Sequence, residues 1–139
     1  FTFWKPSLEV AEGHSRHAPT YFYRFDFAPR SMKLLGFDAT HGFELFAVFG
    51  INDTLFGKAL TLTGGRKAFA EVTEQVQSQW IAFATNGKPL ESWPAYDEDS
   101  RRTLIFDTRT RVQKDPRSDR RKAWEGYRGY DSQKLEPVT

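Results

Sequence analysis

His41 is the side chain of this sequence whose type and placement best suit proton transfer. It follows an aromatic segment at 20–27 that is predicted to be a strand, and the carboxyl ends of strands in α/β sheets are where ligands and catalytic groups gather. Gly42 permits a close backbone approach, and the apolar segment 43–50 is expected to be deeply buried and to anchor the loop. Imidazole is the usual proton shuttle near neutral pH. On the residues alone, a structural loop histidine is still the favoured interpretation.

Glu44 is the single charged residue within that apolar segment. A buried carboxylate needs a partner, so we expect a structural hydrogen-bond acceptor or one half of an ion pair. A supporting role beside His41 is the alternative. Arg24 and Asp26 share one face of the predicted strand and are interpreted as structural.

The remaining candidates for chemistry are weaker. His14 and His17 have the i, i+3 spacing that can hold a metal on a helix, but no third ligand is close in sequence, so a solvated helix face is favoured. Ser15 lies in a segment, GHSRH, that lacks the second glycine of a nucleophile elbow, and it is predicted not to be a nucleophile. No phosphate-binding loop is found, and the absence of Cys excludes disulfides and thiol nucleophiles. We therefore expect neither a metal nor a cofactor.

Composition places the chain among globular proteins of one domain. Of 139 residues, 39% are hydrophobic and 16% aromatic, and no apolar run is long enough to span a bilayer. Residues 101–139 hold 11 basic and 6 acidic side chains, although the whole chain carries only +2. A basic binding domain at 101–128 is thus one hypothesis, with phosphate contacts from Arg117, Arg120, Arg121 and Lys122. Interleaved acidic residues favour a solvated helix instead, without nucleic-acid binding.

The sequence pattern predicts an α/β arrangement of elements. Helices are predicted at 6–17 and 66–85, the second ending at Asn86-Gly87, and Ser118 or Asp119 is expected to cap a short helix that ends near Gly126. Strands are predicted at 20–27, and a hairpin at 103–107 and 111–113. The predicted loops and irregular segments are 28–42 and 51–65, and residues 128–139 are expected to form a flexible tail.

Five segments in this order and spacing resemble the C-terminal part of a type-B carboxylesterase, the family of para-nitrobenzyl esterases and cholinesterases. They read PTYFYRFDF, THGFELFAVFG, WIAFATNGKP, WPAYDEDSRRTLIFDT and DPRSDRRKAWEG, and the resemblance covers 1–127. It implies the C-terminal segment of an α/β-hydrolase catalytic domain, with a late central strand, a histidine loop, a long helix, an edge hairpin and a terminal helix. It implies that His41 is the catalytic histidine, followed by Gly42 and Glu44. The serine, the acid and the oxyanion hole would then lie upstream of Phe1.

The implied function is that of a serine-type carboxylic ester hydrolase acting on a small ester. The alternative is a non-catalytic binding module on the same fold, as in the neuroligins. The chain begins at Phe1 without a leader, so we expect a fragment that is inactive alone and pairs with the N-terminal remainder of the enzyme. Phe37, Phe43 and Phe46 could line the substrate pocket, although core packing is the favoured use. The lack of Cys favours a bacterial-like member and a cytoplasmic location.

Overall fold

The computed structural model describes residues 3–126, which form a small mixed sheet with helices around it. The strands are β1 (Tyr23–Phe25), β2 (Arg102–Phe106) and β3 (Arg111–Lys114). The helices are α1 (Trp4–Ser15), α2 (Arg30–Leu34), α3 (Glu44–Val48), α4 (Leu55–Leu60), α5 (Arg66–Asn86) and α6 (Ser118–Ala123), with a 3-10 turn at Ile51–Asp53. The predicted tail at 128–139 lies outside the described residues.

Strand β2 is the centre of the sheet. It pairs in parallel with β1, placing Tyr23 opposite Leu104, and antiparallel with β3, which confirms the predicted hairpin. The predicted strand at 20–27 is reduced to three residues of regular strand, although the N–H groups of Asp26 and Phe27 still donate to the Phe106 carbonyl. Within the described residues β1 has a strand on one side only, so its other edge carries unpaired backbone groups.

The core lies between this sheet and α5. Phe69, Val72 and Val76 of α5 are buried against Leu104 and Phe106, because the apolar residues of the helix recur on one face. The predicted stripe continues to Trp80 and Phe83, which are 44% and 49% exposed. Helix α5 ends as predicted, since Gly87 adopts a φ of +70° and its N–H donates to the Phe83 carbonyl.

The connecting segments hold more helix than the sequence pattern predicts. The expected loop at 28–42 contains α2, and the expected irregular segment at 51–65 contains the 3-10 turn and α4. Helix α4 is started by Thr54, whose hydroxyl accepts a hydrogen bond from the Gly57 N–H. Gly57 packs so closely that an added Cβ would lie 2.2 Å from the Ile51 carbonyl oxygen. These helices are too short for a periodic signal, so only tertiary packing reveals them.

Two further expectations need correction. The segment 43–50 is not deeply buried throughout, because it forms α3, a short helix whose outer side leaves Leu45 and Phe49 exposed. Helix α6 is not capped by Ser118 or Asp119. Its N-cap is Arg117 in a left-handed conformation with a φ of +63° and no side-chain cap. No helix within residues 3–126 combines the length and the apolar character needed to cross a membrane.

Candidate functional site

His41 lies in a turn between α2 and α3, with its side chain exposed. The Phe43 N–H donates to the Thr40 carbonyl across this turn at 3.1 Å. The imidazole stacks on the ring of Phe3, with centroids 4.2 Å apart and planes 11° from parallel. Among residues 3–126, His41 makes no hydrogen bond or ion pair, so both ring nitrogens are available.

Gly42 sets the geometry of this turn through its backbone conformation. Its φ is +81°, a value that side chains with a Cβ rarely adopt. The expected close approach is not present, since a Cβ added at Gly42 would meet no described atom within 4 Å. Among residues 3–126, glycine is therefore favoured here by its backbone conformation and not by a close neighbour.

Phe43 anchors the turn, as expected of the apolar segment. Its side chain is 4% exposed, and its ring lies 6.2 Å from that of Phe69 and 5.2 Å from that of Phe46. Ala47, one turn later, is fully buried. His41 is thus held two residues from a fixed point of the core, although its own side chain is exposed.

Glu44 begins α3 and is half-buried. The expected structural partner is absent, because within residues 3–126 its carboxylate makes neither a hydrogen bond nor an ion pair. The negative charge of Glu44 acts on Tyr23. The pKa of Tyr23 is raised mainly by burial of its phenol and further by that charge. Because Glu44 is only partly buried, it can remain without a cationic partner among the described residues.

A concave surface of about 530 Å³ brings these groups together. Its lining includes Phe3, Tyr23, Arg24, His41 and Glu44. Arg24 is held by Asp26 through two hydrogen bonds of 2.7 and 2.6 Å, consistent with the structural role expected of this pair. The surface is largely apolar and has one imidazole and one free carboxylate at its border.

The other candidate residues are placed elsewhere. Ser15 donates its hydroxyl hydrogen bond to the Glu12 carbonyl, and His14 Nδ1 lies 2.7 Å from the Thr20 hydroxyl oxygen. His17 is exposed at the end of α1, and no group of three potential metal ligands occurs in the described part of the chain. Phe43 and Phe46 pack in or against the core, whereas Phe37 is 52% exposed.

The basic residues of the last helix divide into two groups. Arg117, Arg120 and Lys122 are exposed, as expected of a solvated helix. Arg121 is different, because its guanidinium donates to both carboxylate oxygens of Asp115 and to Glu125. The pKa of Asp115 is lowered chiefly by this hydrogen bond. Arg121 therefore ties α6 to the end of β3 and is not free to contact phosphates.

Phe3 is the member of the site that sequence reasoning missed. It lies at the N-cap of α1, 38 positions before His41, and no local pattern relates the two rings. The strand pattern that includes Tyr23 likewise gives no link to Glu44. Both relations join residues that are far apart in the sequence and are brought together by the fold.

Comparisons with known proteins identify the family of this chain. The model of the carboxylesterase family matches residues 1–124. The para-nitrobenzyl esterase of Bacillus subtilis is 38% identical over 129 residues, and the cocaine esterase of Oryctolagus cuniculus is 37% identical over 106 residues. These matches cover 86% and 71% of this chain but only 24% and 19% of those proteins.

Solved structures give the same result. A structure of para-nitrobenzyl esterase superposes with a TM-score of 0.74 at 36% identity, over 86% of this chain and 24% of that one. The chain thus spans about a quarter of the length of these relatives, and its strands and helices are a segment of the α/β-hydrolase fold. This chain belongs to the carboxylesterase family.

Proposed function

We propose that this chain supplies the catalytic histidine, His41, of a serine-type carboxylic ester hydrolase. The observation that carries the proposal is an imidazole with both nitrogens available, at the border of a concave surface, in a chain of the carboxylesterase family. The names of the relatives describe ester hydrolysis by those proteins, and this chain spans only part of their length.

His41 acts in this proposal as a general base and then as a general acid. One ring nitrogen takes the proton of a serine hydroxyl as its oxygen attacks the ester carbonyl, and the protonated ring then gives that proton to the departing alcohol. The same nitrogen next activates a water that releases the acyl group. The other nitrogen donates to an acidic residue, which fixes the tautomer and orientation of the ring.

The serine and the acid come from the complementary part of the enzyme. Residues 3–126 place neither a hydroxyl nor a carboxylate within hydrogen-bond distance of His41, so the chain alone is expected to be inactive. The unpaired edge of β1 and the exposed apolar side chains of α2–α4 are where the complementary part would pack. We call the two parts together the complete esterase.

Gly42 and Glu44 support the histidine in this proposal. Gly42 fixes the turn through its positive φ, so an alanine there would strain the loop that carries His41. The free carboxylate of Glu44 contributes a negative potential to the concave surface, which favours the positive charge that His41 carries during the reaction. Both are positioning or electrostatic roles and not contacts with the reacting atoms.

The decisive experiment is His41→Ala in the complete esterase, or in a chimera that joins this chain to the remaining part of the Bacillus subtilis enzyme. We expect kcat for a short-chain para-nitrophenyl ester to fall by about 10⁴-fold or more, because the loss of one triad member disables the others. His17→Ala, a change of an exposed histidine just after α1, is the matched control and should retain activity.

Two outcomes would contradict the proposal. Near-normal hydrolysis by His41→Ala would exclude the proposed role of this imidazole. A complete protein that folds and binds partners but hydrolyses no ester, even with His41 intact, would instead indicate a non-catalytic module.

A further inference from the structure

The stacked pair of Phe3 and His41 joins two parts of the chain that are anchored independently. The Phe3 carbonyl accepts hydrogen bonds from the Ser7 N–H at 3.1 Å and from the Ser7 hydroxyl at 2.8 Å. Its ring therefore projects from a fixed first turn of α1. His41 is fixed from the other side by Phe43, which is 4% exposed.

Helix α1 is itself held in place by more than apolar contact. Ala11 is buried, and Glu12 accepts a hydrogen bond of 3.0 Å from Arg101, the residue that precedes β2. Both side chains of this ion pair are only about a fifth exposed. Helix α1, whose first turn carries Phe3, is therefore held against the segment that precedes β2.

We propose that Phe3 is a positioning residue for His41, holding the imidazole plane through ring stacking while leaving both nitrogens free. This inference rests on the proposed function of His41. A ring contact engages the face of the imidazole, whereas a hydrogen bond would occupy one of the nitrogens that the reaction needs. An aromatic residue therefore orients the imidazole without occupying either of its nitrogens.

The stack also suits the change of charge during the reaction. When His41 takes a proton it becomes a cation, and a cation over an aromatic face is attracted by the negative charge of the π system. The neutral ring gains less from this contact than the protonated ring does. Phe3 therefore stabilises the state in which His41 holds the proton of the nucleophile, and this favours the transition state over the ground state.

The test compares Phe3→Leu with Phe3→Tyr in the complete esterase. Leucine keeps an apolar side chain but removes the aromatic face, and we expect kcat to fall by roughly 3- to 30-fold with little change in KM. Tyrosine keeps the ring and should restore kcat. Phe83→Leu, a change of a half-exposed phenylalanine on α5 that does not contact His41, is the matched control and should leave kcat unchanged.

A spectroscopic measurement on the unchanged complete esterase makes the test independent of variant folding. A ring stacked at 4.2 Å shields the protons beneath it, so the ring-proton NMR signals of His41 should lie upfield of those of His17. Phe3→Leu should move the His41 signals downfield, and Phe3→Tyr should not.

The outcomes separate this inference from the proposed function. If His41→Ala is inactive while Phe3→Leu retains full kcat, or if the His41 signals show no upfield shift, the inference is wrong and the function of His41 stands. If His41→Ala retains activity, the proposed function fails, and the catalytic meaning of the stack fails with it.

Discussion

The sheet with α5 and the segment from α2 to α4 differ in how far their large apolar side chains are buried. Around β2, Ile105, Phe106 and Phe69 are fully buried. Between residues 30 and 62 several large apolar side chains face outward, with Leu55 at 85%, Leu62 at 83% and Phe49 at 74% exposed. The region around β2 buries its central apolar residues within the described chain, although Trp80 and Phe83 near the end of α5 are 44% and 49% exposed. The segment from α2 to α4 leaves several of its large apolar side chains more exposed than these.

This difference indicates which part of the molecule is a contact site. Exposed apolar side chains are ordinary when scattered, but a run of them on short consecutive helices is a feature of contact sites. The segment adjoins the His41 turn and belongs to a chain that spans a quarter of its relatives' length. Under the proposed function, its apolar residues would be buried against the complementary part of the complete esterase.

Shortening a buried side chain in the region of the sheet and α5 should have the largest effect on stability. Phe106→Ala removes a fully buried ring between α5 and the sheet, and we expect the free energy of unfolding of the complete esterase to fall by about 3–5 kcal/mol. Val112→Ala on β3, where the side chain is 40% exposed, is the control and should cost far less. Thermal unfolding of both variants measures the difference, and equal losses would contradict the assignment of the core to this region.

Polar substitutions in the segment from α2 to α4 should improve the behaviour of the chain expressed alone but lower the stability of the complete esterase. The chain expressed alone should self-associate, and replacing Leu55 and Leu62 by Gln should reduce that association, because both side chains are more than four-fifths exposed. In the complete esterase the same changes should lower the unfolding temperature. Sedimentation velocity and thermal unfolding test this, and a monodisperse, cooperatively unfolding monomer of the unchanged chain would contradict the interpretation.

The smallest expected effect concerns Asp97, which lies in the turn before β2. Its carboxylate accepts hydrogen bonds from the Ser100 N–H and hydroxyl and from Arg102, and these lower its pKa from 3.8 to about 2. A lowered pKa stabilises the fold above about pH 4, and this contribution is lost as the pH falls toward 2. Because the carboxylate is well exposed, we expect Asp97→Asn to cost less than about 1 kcal/mol at pH 7.

The control for this measurement is Asp99→Asn, which changes an exposed carboxylate without a hydrogen bond among the described residues. The stability difference between Asp97→Asn and the unchanged complete esterase should shrink between pH 4 and pH 2, while Asp99→Asn should show no such trend. A difference that persists at pH 2 would indicate that the asparagine disturbs the turn itself.

Long periodic helices could be predicted from the sequence, whereas the short helices α2, α3 and α4 could not. The 21 residues of α5 hold several turns of apolar repeat, and the prediction of 66–85 agrees with Arg66–Asn86. The prediction of helix 6–17 agrees with Trp4–Ser15 apart from a shift of two residues. Helices α2, α3 and α4 have five or six residues each, too few to display a period. They form in tertiary contact: α3 packs against α5, and α4 contacts α3 through Phe46 and Phe56 and α2 through the hydrogen bond from Ser31 to the Leu60 carbonyl.

The family resemblance, the long helix, the hairpin and His41 as the candidate base can be inferred from the sequence, because each depends on residue type and local spacing. The fold was needed to show that Phe3 lies on the face of His41, that Glu44 has no cationic partner in the described residues, and that Gly42 adopts a positive φ. The two sets of features differ in the range of the interactions behind them. Periodicity and turn chemistry act between neighbours along the chain, whereas stacking and the burial of charge depend on residues that the fold brings together from distant positions.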